Sequence, residues 1–254
     1  MDPLDQTPAA RSVPPDVAAS RPSLPERAIA LLEVLLCSDF PTQIVIAQAL
    51  TAAGFHAQNA DGTLNIVYIA TLSLVDTVVL IGLIVLFLVS HRERPGDVLF
   101  GVQPLGAEIV AGVPLMFASL VLAIGVLVAI QLLAPWLRTV AHNPLQDLLK
   151  TPRDAAIFAV VVVLAGGVRE EVQRAFLLHR FERWLGGGVV GVIVVSLAFG
   201  SGHYLQGVDA VVATTILGAL WGVVYLRRRS AVAPMVAHAG FDLLQLVQFF
   251  AIGR

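Results

Sequence analysis

Long apolar runs, separated by short charged segments, dominate the pattern of hydrophobic and polar positions along the chain. Three runs, Ile66 to Ser90, Ile109 to Trp136 and Ala155 to Leu178, are long enough as helices to cross a bilayer core of about 30 Å. Four further apolar runs cover Ala28 to Leu50, Gly188 to Tyr204, Ala210 to Leu226 and Val232 to Ile252. The pattern therefore predicts an all-α fold, a polytopic transmembrane helix bundle of about seven spans.

The first apolar run is the weakest, because Glu33, Asp39 and Pro41 interrupt it. A helix lying in the membrane interface is an alternative to a crossing here. Residues 1–27 are rich in proline and predict a disordered or surface-lying tail. The chain then divides into N-terminal transmembrane helices, residues 28–154, and a C-terminal group of helices, residues 155–254.

Composition agrees with a membrane protein. The 254 residues are 57% hydrophobic and 13% charged, whereas an average soluble domain is about 25% charged. The single cysteine, Cys37, excludes an internal disulfide. We expect the lipid bilayer as a partner and no nucleic acid.

Basic residues predict the orientation. Arginines follow the second, fourth and sixth spans, whereas the loop after the third span is an exception to this alternation. Because basic loops stay in the cytoplasm, the pattern predicts a cytoplasmic N-terminus, if the first span crosses, and a C-terminus outside. The clusters are His91 to Arg94, Arg180 with Arg183, and Arg227 to Arg229.

The fourth span carries an unusual polar stretch, Gly166 to Arg174. Charged groups in a membrane span are costly and commonly functional. On a helix, Glu170 and Arg174 share a face at i and i+4, while Glu171 points about 100° away. We therefore predict an ion pair of Glu170 with Arg174 and interpret Glu170, rather than Glu171, as the reactive carboxylate. A purely structural salt bridge between helices is the alternative.

Two more polar groups lie in later spans. His203 shares a helix face with Phe199 at the end of the fifth span, and His238 shares one with Asp242 on the seventh. A single buried histidine is commonly only a packing residue. Three spans that each carry an inward polar group indicate instead that Glu170, His203 and His238 converge on one functional site.

At these residues the chain resembles the CAAX-protease and bacteriocin-processing family, intramembrane glutamic endopeptidases that include the Ras-converting enzymes. The resemblance covers about residues 155–248. The family motif Phe-x-x-x-His is met by Phe199 and His203, and the motif His-x-x-x-Asn or Asp by His238 and Asp242.

The family motif Glu-Glu-x-x-x-Arg is met imperfectly, because two residues rather than three separate Glu171 from Arg174. Two registers are open. Either Glu170 and Glu171 are the family pair and Arg174 is displaced by one position, or Arg169 replaces the first glutamate and Glu170 is the second.

The resemblance implies an endopeptidase in which a glutamate activates water with histidine assistance. The implied site residues are Glu170, Glu171, Arg174, His203, His238 and Asp242, and the implied substrate is a membrane-anchored peptide or protein. We expect no cofactor. Zinc held by His203, His238 and Glu170 or Asp242 is an alternative, and so is a non-enzymatic proton-coupled transporter or scaffold. The arginine-rich chain favours a bacterial inner membrane.

Overall fold

The computed structural model describes residues 22–141 and 143–252, and the regular structure of these residues is helical. This confirms the all-α class. Within these residues ten α-helices follow one another: α1 Leu24–Leu36, α2 Phe40–Ala52, α3 Ile66–Ser90, α4 Pro95–Leu99, α5 Leu105–Leu133, α6 Pro152–Val161, α7 Glu170–Trp184, α8 Gly188–Ser201, α9 Val208–Arg228 and α10 Val232–Ile252. Short 3₁₀ turns occupy Pro135–Leu137, Pro144–Leu148 and Tyr204–Gln206.

Three helices, α3, α5 and α9, are long and apolar enough to cross a membrane, and the bent pair α1–α2 would make a fourth span. The chain is thus a polytopic helical membrane protein, but the predicted number of seven spans is not confirmed. Helix α8 is a predicted span that does not reach this length. Its 14 residues rise only about 21 Å, less than the bilayer core.

The first predicted span is broken. Helices α1 and α2 meet at 41°, and Asp39 between them has a backbone φ of 79°. Pro41 lies in the first turn of α2, where a proline starts a helix rather than continuing one. Helix α1 begins at Leu24, after a capping box formed by Ser23 and Glu26. The last residues of the predicted 1–27 tail are therefore helical, and residues 1–21 lie outside the described part.

The basic segment at the end of α7 is partly buried. The Arg180 side chain is fully buried and donates to Glu33 of α1 at 2.6 Å and to Glu93 at 2.5 Å. Glu93 lies between α3 and α4 and also contacts His179 at 2.8 Å and Arg183 at 3.0 Å. These charges therefore join α1, the α3–α4 connection and α7.

The Glu93 cluster predicts a pH dependence of stability. Burial raises the pKa of Glu93, but the hydrogen bonds and charges of His179 and Arg180 lower it more, to about 2 from 4.5. A carboxylate with a depressed folded-state pKa stabilises the fold fully above its unfolded pKa, and this contribution is lost as the pH falls from about 4.5 to about 2. Thermal unfolding in detergent should show this loss for the wild type and a smaller loss for Glu93→Gln. Equal losses in both proteins would contradict the prediction.

Candidate active site

The polar stretch lies in one continuous helical rod. Helix α6 runs into a π-helical segment, Val162–Arg169, which runs directly into α7. A π-helix is wider than an α-helix, and such segments are frequent at functional sites. Gly166 and Gly167 in this segment face α10. A Cβ at Gly166 would lie 2.8 Å from Asp242 Oδ2, and one at Gly167 would lie 2.5 Å from the Ala239 Cβ. The two glycines therefore let α10 bring its polar residues against the rod.

The predicted ion pair of Glu170 with Arg174 is wrong. Arg174 pairs with Glu171, three residues before it, and its guanidinium lies 4.6 Å from the Phe199 ring centre. The physical reason is that both i+3 and i+4 partners are within reach on a helix, and Glu170 already has a cation. Arg169 Nη2 lies 3.2 Å from Glu170 Oε1.

The two glutamates have different surroundings. Glu171 is buried, at 1% exposure, and its Oε1 accepts hydrogen bonds from Arg174 and from His238 Nδ1, the latter at 2.8 Å. The Glu170 side chain remains 20% exposed. Glu171 is therefore bound on both sides, whereas Glu170 keeps an accessible edge.

His238 stands between the carboxylates. Because Glu171 accepts from Nδ1, the other ring nitrogen, Nε2, is directed to Glu170 Oε2 at 3.8 Å and to Asp242 Oδ2 at 3.7 Å. Trp221 of α9 stacks on the imidazole, with ring centres 4.0 Å apart. These contacts hold the ring plane and its tautomer.

His203 lies further from the carboxylates. Its Nδ1 is 3.0 Å from the Phe199 carbonyl oxygen, and its ring packs against the Phe199 ring with centres 4.9 Å apart. Phe199 also touches His238, with ring centres 5.9 Å apart. Phe199 thus lies in contact with both histidines, and His203 is the predicted residue outside the group of carboxylates. The structure brings the other five together, namely Glu170, Glu171, Arg174, His238 and Asp242.

One cavity of about 590 Å³ joins the two histidines, and this volume is within the usual range for ligand sites. His203, His238 and Asp242 all line it, together with Trp221. Its wall mixes apolar side chains with amides and two carboxylates. The predicted histidines therefore face the same space.

Sequence reasoning missed a second set of charges behind Glu170. Arg169 Nη1 donates to Asp39 at 2.7 Å and to Asp76 at 2.5 Å, and Asp76 is fully buried. A carboxylate in an otherwise apolar span is a signal for such a partner. Asp76 in the second apolar run carried that signal, but its partner lies 93 residues further along the chain.

Trp221 is also held by a polar contact that the sequence did not indicate. Its indole Nε1 donates to the hydroxyl of Ser119 at 3.0 Å, and Ser119 is fully buried in α5. Among the described residues, no group of three or more His, Cys, Asp or Glu side chains has an arrangement that would hold a metal ion.

Apolar helices that hold two adjacent glutamates, one buried and one partly exposed, beside a buried histidine define a membrane protein with a carboxylate–histidine site. Residues 152–244 match a family model described as type II CAAX prenyl endopeptidase Rce1-like. This part of the chain is therefore an Rce1-like domain, which confirms the family predicted from the motifs and its class, the protease hydrolases. Comparisons with curated proteins and with solved structures found no match.

Proposed function

We propose that the protein is an intramembrane endopeptidase that hydrolyses a peptide bond of a membrane-associated protein or peptide in a bacterial inner membrane. The observation that carries this proposal is the accessible edge of Glu170, 3.8 Å from His238 Nε2, in a family of proteases. The distance is too long for a direct hydrogen bond and suits one intervening water molecule.

Glu170 and His238 would activate that water together. With Nδ1–H donated to Glu171, the neutral His238 ring offers Nε2 as an acceptor, so the two hydrogens of the water point to Glu170 and His238. The oxygen lone pair then faces the substrate carbonyl. As the oxygen attacks the carbonyl carbon, a proton moves to Glu170, which can return it to the amide nitrogen when the C–N bond breaks.

The other residues would support the negative charge of the tetrahedral intermediate. His203, which lines the same cavity, would donate to the oxyanion or carry a proton to the leaving amine. An ionised Asp242 carboxylate can only accept hydrogen bonds, so donation to the oxyanion requires its protonated form. Arg174 and Glu171 would act through His238, by holding its ring.

We further propose catalysis without a tightly bound metal. The Arg169 guanidinium, 3.2 Å from Glu170, already supplies the positive partner of this carboxylate. A divalent ion beside it would be repelled by several kcal/mol at an intermediate dielectric constant, roughly 4 kcal/mol per unit charge at 4 Å. Stoichiometric zinc in protein purified without added metal would contradict the proposal and favour the zinc-dependent alternative.

The test of the function is a proteomic comparison of membranes from cells that carry the wild type or Glu170→Ala. A substrate should accumulate at full length with Glu170→Ala and appear shortened with the wild type. Glu182→Gln is the matched control, because this glutamate lies on the same helix but pairs with Arg229 at the surface. Identical membrane proteomes would instead support the transporter or scaffold alternative.

For the topology, we retain seven crossings with the N-terminus in the cytoplasm and the C-terminus outside. The support is that seven helical units succeed one another along the described residues, namely α1–α2, α3, α5, the α6–α7 rod, the short helix α8, α9 and α10. A reporter fused after Arg254 should be active on the outer side. A cytoplasmic reporter would contradict this topology.

A further inference from the structure

The cavity at the candidate site is lined by several turns of α9. Its wall follows one face of this helix, from Asp209 through Ala213 and Leu217 to Trp221, which stacks on His238. At 1.5 Å per residue the distance from Asp209 to Trp221 is about 18 Å. An extended peptide rises about 3.3 Å per residue, so this length accommodates about five residues.

The charges in the cavity wall have one sign. The described lining residues contain two carboxylates, Asp209 and Asp242, and neither lysine nor arginine. The groups around Glu170 add to this excess of negative charge. Among the described residues, five carboxylates pair there with two guanidinium groups, those of Arg169 and Arg174, and with the imidazole of His238. The five carboxylates are those of Asp39, Asp76, Glu170, Glu171 and Asp242. A substrate with an acidic group along this cavity would find no arginine or lysine to bind it.

Asp209 lies at the end of the cavity remote from His238. Its Oδ1 is buried and has no hydrogen-bond partner. A buried carboxylate oxygen that makes no hydrogen bond raises the free energy of the folded protein. Gly207, with a φ of +117°, makes room for this oxygen, because a Cβ there would lie 2.5 Å from it. The neighbouring amides Asn143 and Gln206 contact each other at 3.4 Å. Asp209 is thus a cavity-lining carboxylate with unused hydrogen-bonding capacity beside neutral polar groups.

We infer that the cavity binds an extended segment of the substrate that has a basic side chain about five residues from the cleaved bond. This side chain forms an ion pair with the Asp209 carboxylate. This inference rests on the proposed function. Asp209 is then a specificity-determining residue, because it contacts a side chain remote from the reacting atoms. Neutral residues between the two ends pack on the apolar wall of α9 and on the amides.

The experiment uses the full-length protein in lipid vesicles and a series of internally quenched peptides. The peptides share an apolar sequence around the cleaved bond and carry Lys, Gln or Glu at single positions, about three to seven residues from that bond on either side. At one placement, kcat/KM for the Lys peptide should exceed that for the Gln peptide about tenfold, and the Glu peptide should be cleaved more slowly still.

Two variants attribute the preference to Asp209. Asp209→Asn should reduce the Lys advantage to less than about threefold, because only the charge is lost, while Asp209→Glu should keep a larger part of it. Asp61→Asn is the control, since Asp61 lies in an exposed loop, does not line the cavity and pairs with Lys150 at 3.5 Å. Thermal unfolding of each variant shows whether Asp209 acts only on the stability of α9.

The outcomes separate this inference from the proposed function. Cleavage without a preference for Lys, or with an unchanged preference in Asp209→Asn, would overturn the inference and leave the protease intact. If no peptide is cleaved, the proposed function fails, and binding of the same peptides to the wild type decides the inference. The Lys peptide must then bind about tenfold more tightly than the Glu peptide, and equal affinities would overturn it.

Discussion

Glu170→Gln should lower peptide cleavage by about 10²- to 10⁴-fold, the usual contribution of a general base, while the protein stays folded. The fold tolerates the change because the Glu170 side chain is partly exposed and Arg169 keeps two other carboxylates, Asp39 and Asp76. Glu171→Gln should have the opposite effects: a large loss of stability and a smaller loss of activity. It leaves the buried Arg174 without its carboxylate, a change that costs roughly 3 kcal/mol of stability, but the folded fraction should retain more activity than Glu170→Gln.

The measurement pairs kcat for a membrane peptide, normalised to folded protein, with the free energy of unfolding in detergent. Glu182→Gln serves as the control on the same helix, because its partner Arg229 is exposed and the expected change in stability is within about 1 kcal/mol. If Glu171→Gln loses more activity per folded molecule than Glu170→Gln, Glu171 would be the reactive carboxylate. Our assignment of the two glutamates would then be wrong.

Arg169→Met should destabilise the protein by about 3–5 kcal/mol, the usual result of removing one partner from a buried ion pair. Arg169 is 5% exposed and lies among three carboxylates, Asp39, Asp76 and Glu170, so its loss leaves these acids without a nearby cation. Arg183→Met is the control, because this exposed arginine pairs with Glu93 at the surface and should cost less than about 1 kcal/mol.

A double-mutant cycle distinguishes the ion pair from lost packing. The double mutant Asp76→Asn, Arg169→Met should lose less stability than the sum of the losses in the two single mutants, by about 0.5–3 kcal/mol. The reason is that Asp76→Asn removes a carboxylate that has lost its cation. Additive effects would show that Arg169 stabilises the fold through its packed side-chain carbons rather than through its charge.

The Arg169 contacts also connect the Rce1-like domain to the rest of the chain. Asp39 and Asp76 both lie outside residues 152–244, yet they bind the arginine that contacts Glu170. Gln173 adds a further link, because its side chain donates to the Cys37 carbonyl at 2.8 Å, at the break between α1 and α2. The N-terminal helices therefore form part of the surroundings of the site.

The sequence by itself determined the helical class and several elements. Helix α3 begins and ends, and helix α10 begins, where the apolar pattern predicts, because a long apolar run in a bilayer permits only a helix. The three motifs predicted the family and the set of polar residues, since charged and histidine side chains within apolar spans are rare and costly.

Only the tertiary structure decided how these residues pair. Glu170 and Glu171 are both within helical reach of Arg174, so the sequence left the partner to the neighbouring helices. His238 of α10 and Arg169 on the π-helical segment settled it: His238 Nδ1 binds Glu171 next to Arg174, while Arg169 binds Glu170. The partners of Arg169 lie 130 and 93 residues away along the chain, and no local pattern encodes such distances. The period of about 3.6 residues in the sequence shows which residues share a face of one helix. It does not show which distant helix packs against that face.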